Sequence, residues 1–253
     1  MFTGKRAVIT GGTHGMGLAI VKALLAGGAE VLTTGYNERN VEAAQRELGS
    51  KAHVVRSDTT DLADIEVLAK LVEEKLGTVD YLHINAGFAE IEPFDSVTEA
   101  GFDKTFAINT KGAFFTVQRL LPLISDGGAV VFTTAVADGT GTPGMSTFSG
   151  AKAAVRAFAQ VLAAELLPRR IRVNVVSPGF IRTPTMGVAT ASPEYREEFE
   201  TAGAALTPLG RIGTPEEVAQ ASLFLAFGAT FTTGIELPVD GGIAQGLVPL
   251  GAE

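Results

Sequence analysis

The stretch that decides the fold lies near the start of the chain and reads Ala7-Val8-Ile9-Thr10-Gly11-Gly12-Thr13-His14-Gly15-Met16-Gly17. Its first four residues form a short apolar run, which is typical of a buried strand. Glycines permit a tight turn, and apolar residues then recur at helical spacing from Leu18 to Gly27. This order predicts a dinucleotide site, with a pyrophosphate held by backbone N–H groups at the helix N-terminus. A plain structural turn is the alternative for this stretch taken alone.

The alternation of strand and helix continues along the whole chain. Further apolar runs predict strands at 29–34, 52–56, 79–84, 129–133, 171–176 and 235–239. Helical spacing predicts helices at 38–48, 61–76, 98–124, 147–167 and 215–227, the third interrupted near Pro122. Strands that are apolar throughout are typical of a parallel sheet with helices on both faces. With right-handed crossovers, the prediction is a doubly wound, Rossmann-like α/β fold of about seven strands.

The sequence predicts one domain over residues 1–253, because no linker, repeat or low-complexity segment divides it. Residues 183–213 are the least regular part and are rich in proline, glycine and threonine. They follow the carboxyl end of a predicted strand, where ligands bind in sheets of this kind. We interpret them as a substrate loop or lid.

Composition argues against several classes of protein. The net charge is −8, from 20 basic and 28 acidic residues, and the absence of a basic run argues against a nucleic-acid surface. Cysteine is absent and His14, His53 and His83 are scattered, so no metal site is predicted. The chain has neither a signal-peptide core nor an apolar run of roughly 18 residues, so we expect a cytoplasmic protein without membrane contact.

The stretch 134–152 joins a predicted strand to a long helix, and Phe148 and Lys152 share one face of that helix because they are four residues apart. Together with the glycine turn, its motifs resemble those of the short-chain dehydrogenase/reductase family, in order and spacing, over nearly the whole chain. The matching segments are Thr10–Gly17 (TGxxxGxG), Asp58, Asn85-Ala86-Gly87, Asn109, Lys152 (YxxxK), Pro178-Gly179 with Thr183, and Asp240-Gly241-Gly242.

The resemblance implies hydride transfer between a nicotinamide ring and the carbonyl or alcohol carbon of a small molecule. A tyrosine phenol would exchange the proton, and a serine hydroxyl would hold the substrate oxygen. Asn109 would hold a relay water, and Lys152 would lower the pKa of the phenol and bind the ribose. The implied cofactor-binding residues are Gly11, Thr13, His14, Gly15, Met16, Gly17, Tyr36, Asn37, Arg39, Asp58, Thr59, Asn85, Ala86, Gly87, Lys152, Pro178, Gly179, Ile181 and Thr183. The resemblance and the Ala- and Val-rich helix at 147–167 also imply a homodimer or homotetramer.

Two catalytic positions lack their oxygen. Phe148 stands at the tyrosine position, four residues before Lys152, and Ala135 stands at the serine position. Phenylalanine has no proton to transfer, and alanine has neither donor nor acceptor in its side chain. The spacing of Pro143 from both positions fits the family pattern, so a shift of register does not restore the site. Thr134 is the nearest hydroxyl, and we expect it on the opposite face of the strand.

Three interpretations remain open at this point. In the first, the chain is a reductase disabled by two changes, each of which removes one oxygen, and it has little or no activity. In the second, it uses the same pocket for non-redox chemistry such as cyclisation or isomerisation. In the third, it only binds the dinucleotide. The retention of Asn109 and Lys152 beside the two missing oxygens favours the first, because long drift would be expected to erode the lysine too.

The end of the second strand bears on the choice of cofactor. An acid there would bind the ribose hydroxyls of NAD, whereas a basic residue would favour the 2′-phosphate of NADP. The acid position corresponds to Gly35, followed by Tyr36, Asn37 and Arg39. Tyr36 could stack on adenine and leave the phosphate to Asn37 and Arg39. We therefore expect NADP(H), with NAD(H) as the alternative.

Four apolar residues at the ends of the motifs are candidates for a substrate pocket. They are Phe88, Met145, Phe180 and Met186. Plain packing accounts for them equally well, and the sequence does not name the substrate.

Overall fold

The predicted strands are present in the structure, a computed structural model that describes residues 1–185 and 192–248. They are β1 (Arg6–Thr10), β2 (Glu30–Gly35), β3 (Ala52–Arg56), β4 (Val79–Ile84), β5 (Ile124–Thr133), β6 (Arg172–Pro178) and β7 (Glu236–Val239). All pair in parallel, in the order β3-β2-β1-β4-β5-β6-β7. The doubly wound parallel fold is therefore confirmed.

The α-helices connect these strands. They are α1 (Gly15–Ala26), α2 (Glu38–Leu48), α3 (Leu62–Leu76), α4 (Glu99–Phe106), α5 (Ala113–Leu120), α6 (Ser146–Glu165), α7 (Pro193–Leu206) and α8 (Pro215–Leu223). Asp61 caps α3, because its carboxylate accepts a hydrogen bond of 2.8 Å from the Ala63 N–H. Within the described residues, no helix is long and apolar enough to cross a bilayer.

The sheet separates two apolar cores. Ala7 and Ile9 of β1 face the core that contains buried residues of α1, α2 and α8. Val8, between them, faces the core built with α3, α5 and α6. Successive side chains of a strand point to opposite faces, so strands buried on both faces must be apolar at every position. This explains the continuous apolar runs of the sequence.

The order of the strands reverses at β1. From β1 the chain moves outward to β2 and β3, and it then crosses over to β4 on the other side of β1. Ligands of such sheets bind in the crevice that this reversal creates at the carboxyl ends of the strands. The glycine turn after β1 and the Asn85-Ala86-Gly87 segment after β4 therefore lie side by side.

The region predicted as a helix over 98–124 differs most from expectation. It contains α4, a π-helical segment at Ala107–Gly112 and α5, and a short 3-10 turn at Leu121–Leu123 ends it where Pro122 removes a backbone donor. β5 begins at Ile124 instead of 129, because Ile124 pairs with Val79 across a register shift. Asn109 lies inside the π-helical segment, a feature that often marks functional sites.

In the segment interpreted as a lid, 183–213, the described residues 183–185 and 192–213 contain one α-helix. α7 begins at Pro193, and the Ser192 hydroxyl caps it by accepting a hydrogen bond of 3.2 Å from the Tyr195 N–H. The prolines, glycines and threonines around α7 masked its helical pattern in the sequence. Its role as a lid stays a prediction.

Candidate active site

The glycine turn after β1 has no room for a side chain at its helix end. A Cβ at Gly17 would lie 2.3 Å from the Gly11 carbonyl oxygen and 2.7 Å from Nδ2 of Asn85. The first turn of α1 is thereby packed directly against the turn that precedes it, and the N–H groups of the helix end are left to the crevice. This is the backbone arrangement that a pyrophosphate requires.

The Asn85-Ala86-Gly87 segment is tied to the same turn by its polar atoms. The backbone N–H groups of Asn85 and Ala86 donate to the Thr10 hydroxyl, at 3.0 and 3.1 Å. The Asn85 side-chain amide donates to the Gly11 carbonyl at 3.0 Å. The ends of β1 and β4 are thus one unit, which brings together two segments that are 74 residues apart in sequence.

The end of β2 offers a place for the adenosine part of a dinucleotide. A Cβ at Gly35 would lie 2.5 Å from the Thr13 side chain, so an acid cannot stand there without displacing Thr13. Tyr36 is 63% exposed, and the Arg56 guanidinium lies 5.3 Å from the centre of its ring. The predicted phosphate ligand Asn37 instead caps α2, because its Oδ1 accepts a hydrogen bond from the Asn40 N–H.

Arg56 is a candidate that the sequence reading missed. It lies at the end of β3 and pairs in register with Gly35 of β2. Its cation therefore stands beside the position that selects between ribose hydroxyls and a phosphate. No motif includes residue 56, and only the alignment of β2 with β3 reveals it. Of the other predicted residues here, Arg39 lies in the first turn of α2, and Asp58 uses Oδ1 to accept from the Thr60 N–H and hydroxyl.

The far wall of the crevice comes from the chain after β6. Gly179 packs on the Asp240 backbone, where a Cβ would approach to 2.9 Å, and Thr183 reaches the glycine turn, 3.4 Å from a Cβ placed at Gly15. His14 is half-buried, burial lowers its pKa, and its Nδ1 has no hydrogen-bond partner among the described residues. Ile181 is buried and pairs with Gly213 through an isolated bridge.

Lys152 and Phe148 lie together on the buried face of α6. The Lys152 ammonium donates to the Thr133 carbonyl at 3.0 Å and lies 5.6 Å from the centre of the Phe148 ring. Burial lowers the pKa of Lys152 to about 8, and the negative charge of Asp138 acts in the opposite direction. A tyrosine at 148 would present its phenol on this same buried face, near a cation that favours the phenolate.

Both polar atoms of the Asn109 side chain are hydrogen-bonded to backbone groups of the protein. Its amide nitrogen donates to the Phe88 carbonyl at 2.7 Å and to the Thr105 carbonyl at 2.9 Å. Its amide oxygen accepts from the Phe88 N–H at 3.1 Å. An amide has two donor hydrogens, so both are used. We conclude that Asn109 shapes the β4–α4 loop, and that any relay water would have to rely on other atoms for a donor.

Gly87 lies where the two halves of the site meet. A Cβ at this position would be 3.0 Å from Oδ1 of Asn109 and 3.2 Å from Nζ of Lys152. The structure thus brings Gly87, Asn109 and Lys152 together, although they come from three separate motifs. The cofactor-binding role expected for Gly87 and the catalytic roles expected for Asn109 and Lys152 stay predictions.

Thr134 does not supply the missing hydroxyl. Its Oγ1 donates to Oε1 of Glu236 at 2.8 Å, on β7 and away from Lys152. Arg156 lies between two carboxylates, with Nε 3.6 Å from Asp138 and Nη1 3.5 Å from Glu236. Burial and the charge of Glu236 raise the pKa of Asp138 to about 6, against the attraction of Arg156 and Lys152. The loop that carries Ala135 therefore ends at Asp138, whose carboxyl group is buried.

The candidate pocket residues differ in their surroundings. The Phe88 ring lies 3.9 Å from the Lys104 ammonium, and Phe180 packs edge-on against Phe199 of α7 at 5.1 Å. Met145 is half-buried just before α6, and Met186 lies outside the described residues. Two open cavities of about 340 and 520 Å³ flank the start of α6, and Phe94 and Ser146 line both. Neither is lined by a predicted pocket residue, so plain packing stays open for these residues.

Comparison with known proteins agrees with this geometry. A family described as enoyl-(acyl carrier protein) reductase matches residues 11–244. The chain belongs to the short-chain dehydrogenase/reductase family. Oxidoreductase asL5 of Sarocladium schorii is 37% identical over 246 residues, which cover 96% of this chain and 97% of that protein.

Two solved structures from Brucella melitensis extend the similarity to the whole fold. A short-chain dehydrogenase/reductase described as a glucose/ribitol dehydrogenase superposes with a TM-score of 0.88 at 29% identity, covering 96% of this chain and 97% of that one. A 3-ketoacyl-(acyl-carrier-protein) reductase complexed with NADH superposes with a TM-score of 0.86 at 26% identity, covering 96% of this chain and 100% of that one. Members of the family bind a nicotinamide dinucleotide, and the chain is an oxidoreductase scaffold.

Proposed function

We propose that this chain is a carbonyl reductase or alcohol dehydrogenase scaffold that binds NADP(H) and has little or no activity as written. The observation that carries the proposal is the setting of Lys152. It lies on the buried face of α6 beside Phe148, and close to Gly87 and Asn109, with no hydroxyl at 135 or 148. The surroundings of a proton-transfer site are kept, but the phenol that would exchange the proton and the hydroxyl that would hold the substrate oxygen are missing.

The residues of the crevice fit a nicotinamide dinucleotide. The backbone between Gly11 and Gly17 leaves a cradle that a side chain at 17 would fill, and helix α1 points its N-terminus into it. When bound, the dinucleotide supplies or accepts a hydride. The chain's own residues bind it, exclude water and hold its ribose near Lys152, but they offer no proton at 135 or 148.

The choice of NADP(H) over NAD(H) is supported at the end of β2. Gly35 presents no carboxylate to repel a phosphate, and Arg56 presents a cation beside it. The aromatic ring of Tyr36 lies against this guanidinium. A planar guanidinium matches a phosphate in charge and geometry, so we expect the 2′-phosphate at Arg56. The substrate is a small carbonyl or alcohol compound, and residues 183–213 form the loop or lid that covers it. The chain assembles as a homodimer or homotetramer.

Restoration tests the proposal. The double variant Ala135→Ser with Phe148→Tyr adds one oxygen at each position, and a panel of ketones is assayed with NADPH. We expect the parent to be near background and the double variant to exceed it by at least about a hundredfold, the usual scale of acid–base catalysis. Phe158→Tyr is the matched control, because it adds a phenol to the same helix away from Lys152.

Two results would count against the proposal. If the restored variant oxidises NADPH with no member of the panel, the disabled-reductase interpretation is wrong. If titration followed by fluorescence detects binding of neither NADPH nor NADH to the parent, the dinucleotide site itself is wrong, and with it all three interpretations.

One observation favours non-redox chemistry as a second candidate. The pKa of Asp138 is raised to about 6 and that of Lys152 is lowered to about 8, so the two groups titrate on either side of neutral pH. Perturbed pairs of this kind are typical of acid–base sites. An isomerisation by proton transfer would need no phenol. Turnover that requires Lys152 and proceeds without change of the cofactor's absorbance would favour this candidate.

A further inference from the structure

A chain of buried polar groups runs beneath the site, and its first three members, Tyr81, His83 and Thr133, belong to no motif. The Tyr81 hydroxyl is hydrogen-bonded to Nδ1 of His83, whose Nε2 lies 2.8 Å from the Thr133 hydroxyl. That hydroxyl lies 3.4 Å from Oδ1 of Asn85, and the Asn85 amide donates to the Gly11 carbonyl at 3.0 Å. Tyr81 and His83 are fully buried. The chain links the centre of the sheet to the dinucleotide turn.

The direction of every bond in the chain follows from its last member. The Gly11 carbonyl can only accept, so the Asn85 NH₂ faces it and the Asn85 oxygen faces Thr133. This oxygen also only accepts, so the Thr133 hydroxyl donates to it. Thr133 must then accept from His83, which places the His83 proton on Nε2 and leaves Nδ1 to accept from Tyr81. One tautomer of a neutral His83 satisfies the whole chain.

Burial is consistent with this neutral form. The pKa of His83 is lowered to about 3 because the ring is fully removed from water. A neutral ring with one donor and one acceptor fits the two contacts that the structure gives it. His83 is therefore neutral near neutral pH and carries its proton on Nε2.

Thr133 is the point at which this chain meets the other half of the site. Its side chain joins His83 to Asn85, and its carbonyl accepts the hydrogen bond from Lys152 at 3.0 Å. The hydrogen bond from His83 to Thr133 therefore orients the Asn85 side chain that fixes the glycine turn. It also helps to hold the end of β5, whose carbonyl binds Lys152. An apolar residue at 83 would leave the Thr133 hydroxyl free to turn away from Asn85.

We infer that His83 is a positioning residue for the dinucleotide turn, acting through its Nε2–H on Thr133 and through Thr133 on Asn85 and Gly11. The inference rests on the proposed dinucleotide site. His83 is fully buried and acts through Thr133, which sets the orientation of the Asn85 amide that holds the turn. The pairing of one specific nitrogen with Thr133 is what makes the inference testable.

Two substitutions separate the nitrogens of His83. His83→Gln places an amide N–H near the position of Nε2 and keeps the donor to Thr133, whereas His83→Asn keeps a partner for Tyr81 near Nδ1 and loses Thr133. We expect His83→Asn to weaken both NADPH and NADH by about tenfold, the loss of one well-placed hydrogen bond, and His83→Gln to stay within about threefold of the parent. Thermal unfolding is measured on both, and we expect similar losses of stability.

A second pair of variants covers the case in which neither His83 variant folds. Thr133→Val removes the hydroxyl and keeps the carbonyl for Lys152, and we expect the same loss of affinity, about tenfold. Thr116→Val is the control, because Thr116 of α5 is equally buried and its hydroxyl has no partner among the described residues. It should leave the affinity unchanged.

The outcomes distinguish this inference from the proposed function. If the parent binds neither dinucleotide, the proposed function fails and takes the inference with it. If the parent binds and the two His83 variants bind equally well, His83 is only a structural residue and the inference is wrong, whereas selective loss in His83→Asn supports it. Where neither His83 variant folds, equal binding by the two threonine variants overturns the inference and selective loss in Thr133→Val supports it.

Discussion

The two ends of the crevice differ in what their polar atoms do. At the dinucleotide end, residues 10–17 and 83–87, the hydroxyl of Thr10 and the amide of Asn85 are committed to defined partners. At the proton end, residues 133–152, Lys152 and Asp138 are buried charges with shifted pKa values, and positions 135 and 148 carry no hydroxyl. Under the proposed function, the scaffold for binding is kept and the proton chemistry that it would serve is interrupted.

This difference shows how binding and chemistry can be separated in one fold. Phe148 occupies nearly the volume of a tyrosine and Ala135 nearly that of a serine, so packing around α6 does not need the two oxygens. Phe148 is buried on the same face as Lys152 and Val155. Under the proposed function, the absence of the two oxygens should therefore abolish proton transfer with little effect on stability. We expect any large loss of binding to come from changes at the dinucleotide end.

The largest effect should follow from a side chain that fills the glycine turn at the dinucleotide end. In Gly17→Ala the new Cβ would lie 2.3 Å from the Gly11 carbonyl oxygen, so the turn must move. We expect NADPH affinity to fall by at least about tenfold and stability to fall by about 1–3 kcal/mol, the usual cost of overpacking. Gly141→Ala is the control, because its Cβ would meet no atom within 4 Å. Titration and urea unfolding of the two variants measure both effects, and equal affinity in both would contradict the pyrophosphate assignment.

The sequence was sufficient for the fold and for the strand, glycine turn and helix at the start of the chain, for a physical reason. Strands buried on both faces must be apolar at every position, and turns that approach a phosphate need glycine, so both leave a local record. The bounds of α2, β3 and β4 were predicted to the residue. β5 was predicted too short, because Ser125, Asp126 and two glycines separate Ile124 from its apolar run.

The contacts that cross the sheet could not be predicted. Arg56 stands beside Gly35 only through the register of β2 and β3, and His83 meets Thr133 only through that of β4 and β5. Neither residue lies in a motif. The Asn109 amide is committed to Phe88 and Thr105, and the relay role expected for Asn109 stays a prediction. Partners in space decide such roles, and a single sequence does not record them.

A smaller and more selective effect should follow at Arg56. Arg56→Gln removes the cation and keeps a polar side chain beside Tyr36. We expect NADPH affinity to fall by roughly tenfold, since a charge-assisted contact contributes about 1.5–3 kcal/mol, and NADH affinity to stay the same. Arg46→Gln is the control, because Arg46 is an exposed cation on α2 that lies 3.7 Å from Glu42. Equal loss of affinity for NADPH and NADH, or no loss for either, would contradict this prediction. The cofactor would then be NAD(H), or Arg39 would be the phosphate ligand.

The last effect changes stability, is confined to acid pH, and should appear at the proton end. Because the pKa of Asp138 is raised from 3.8 to about 6, the folded chain holds a proton there that the unfolded chain has already released between these pH values. The contribution of this group to stability is therefore full below pH 3.8 and is lost as pH rises through 6.

Asp138→Asn removes this titration while keeping the shape of the side chain. Relative to the parent, the free energy of unfolding of the variant should rise between pH 4 and 6 by at most about 1.4 kcal/mol per pH unit, and the difference should be constant above pH 7. Urea unfolding over pH 4–8 measures it, with the exposed Asp95→Asn as the control whose pH dependence follows the parent's. If Asp138→Asn also follows the parent, the buried carboxyl is charged throughout and Arg156 holds it as a simple ion pair. The proton end would then have Lys152 as its titrating group near neutral pH, and the non-redox candidate would lose the observation that favours it.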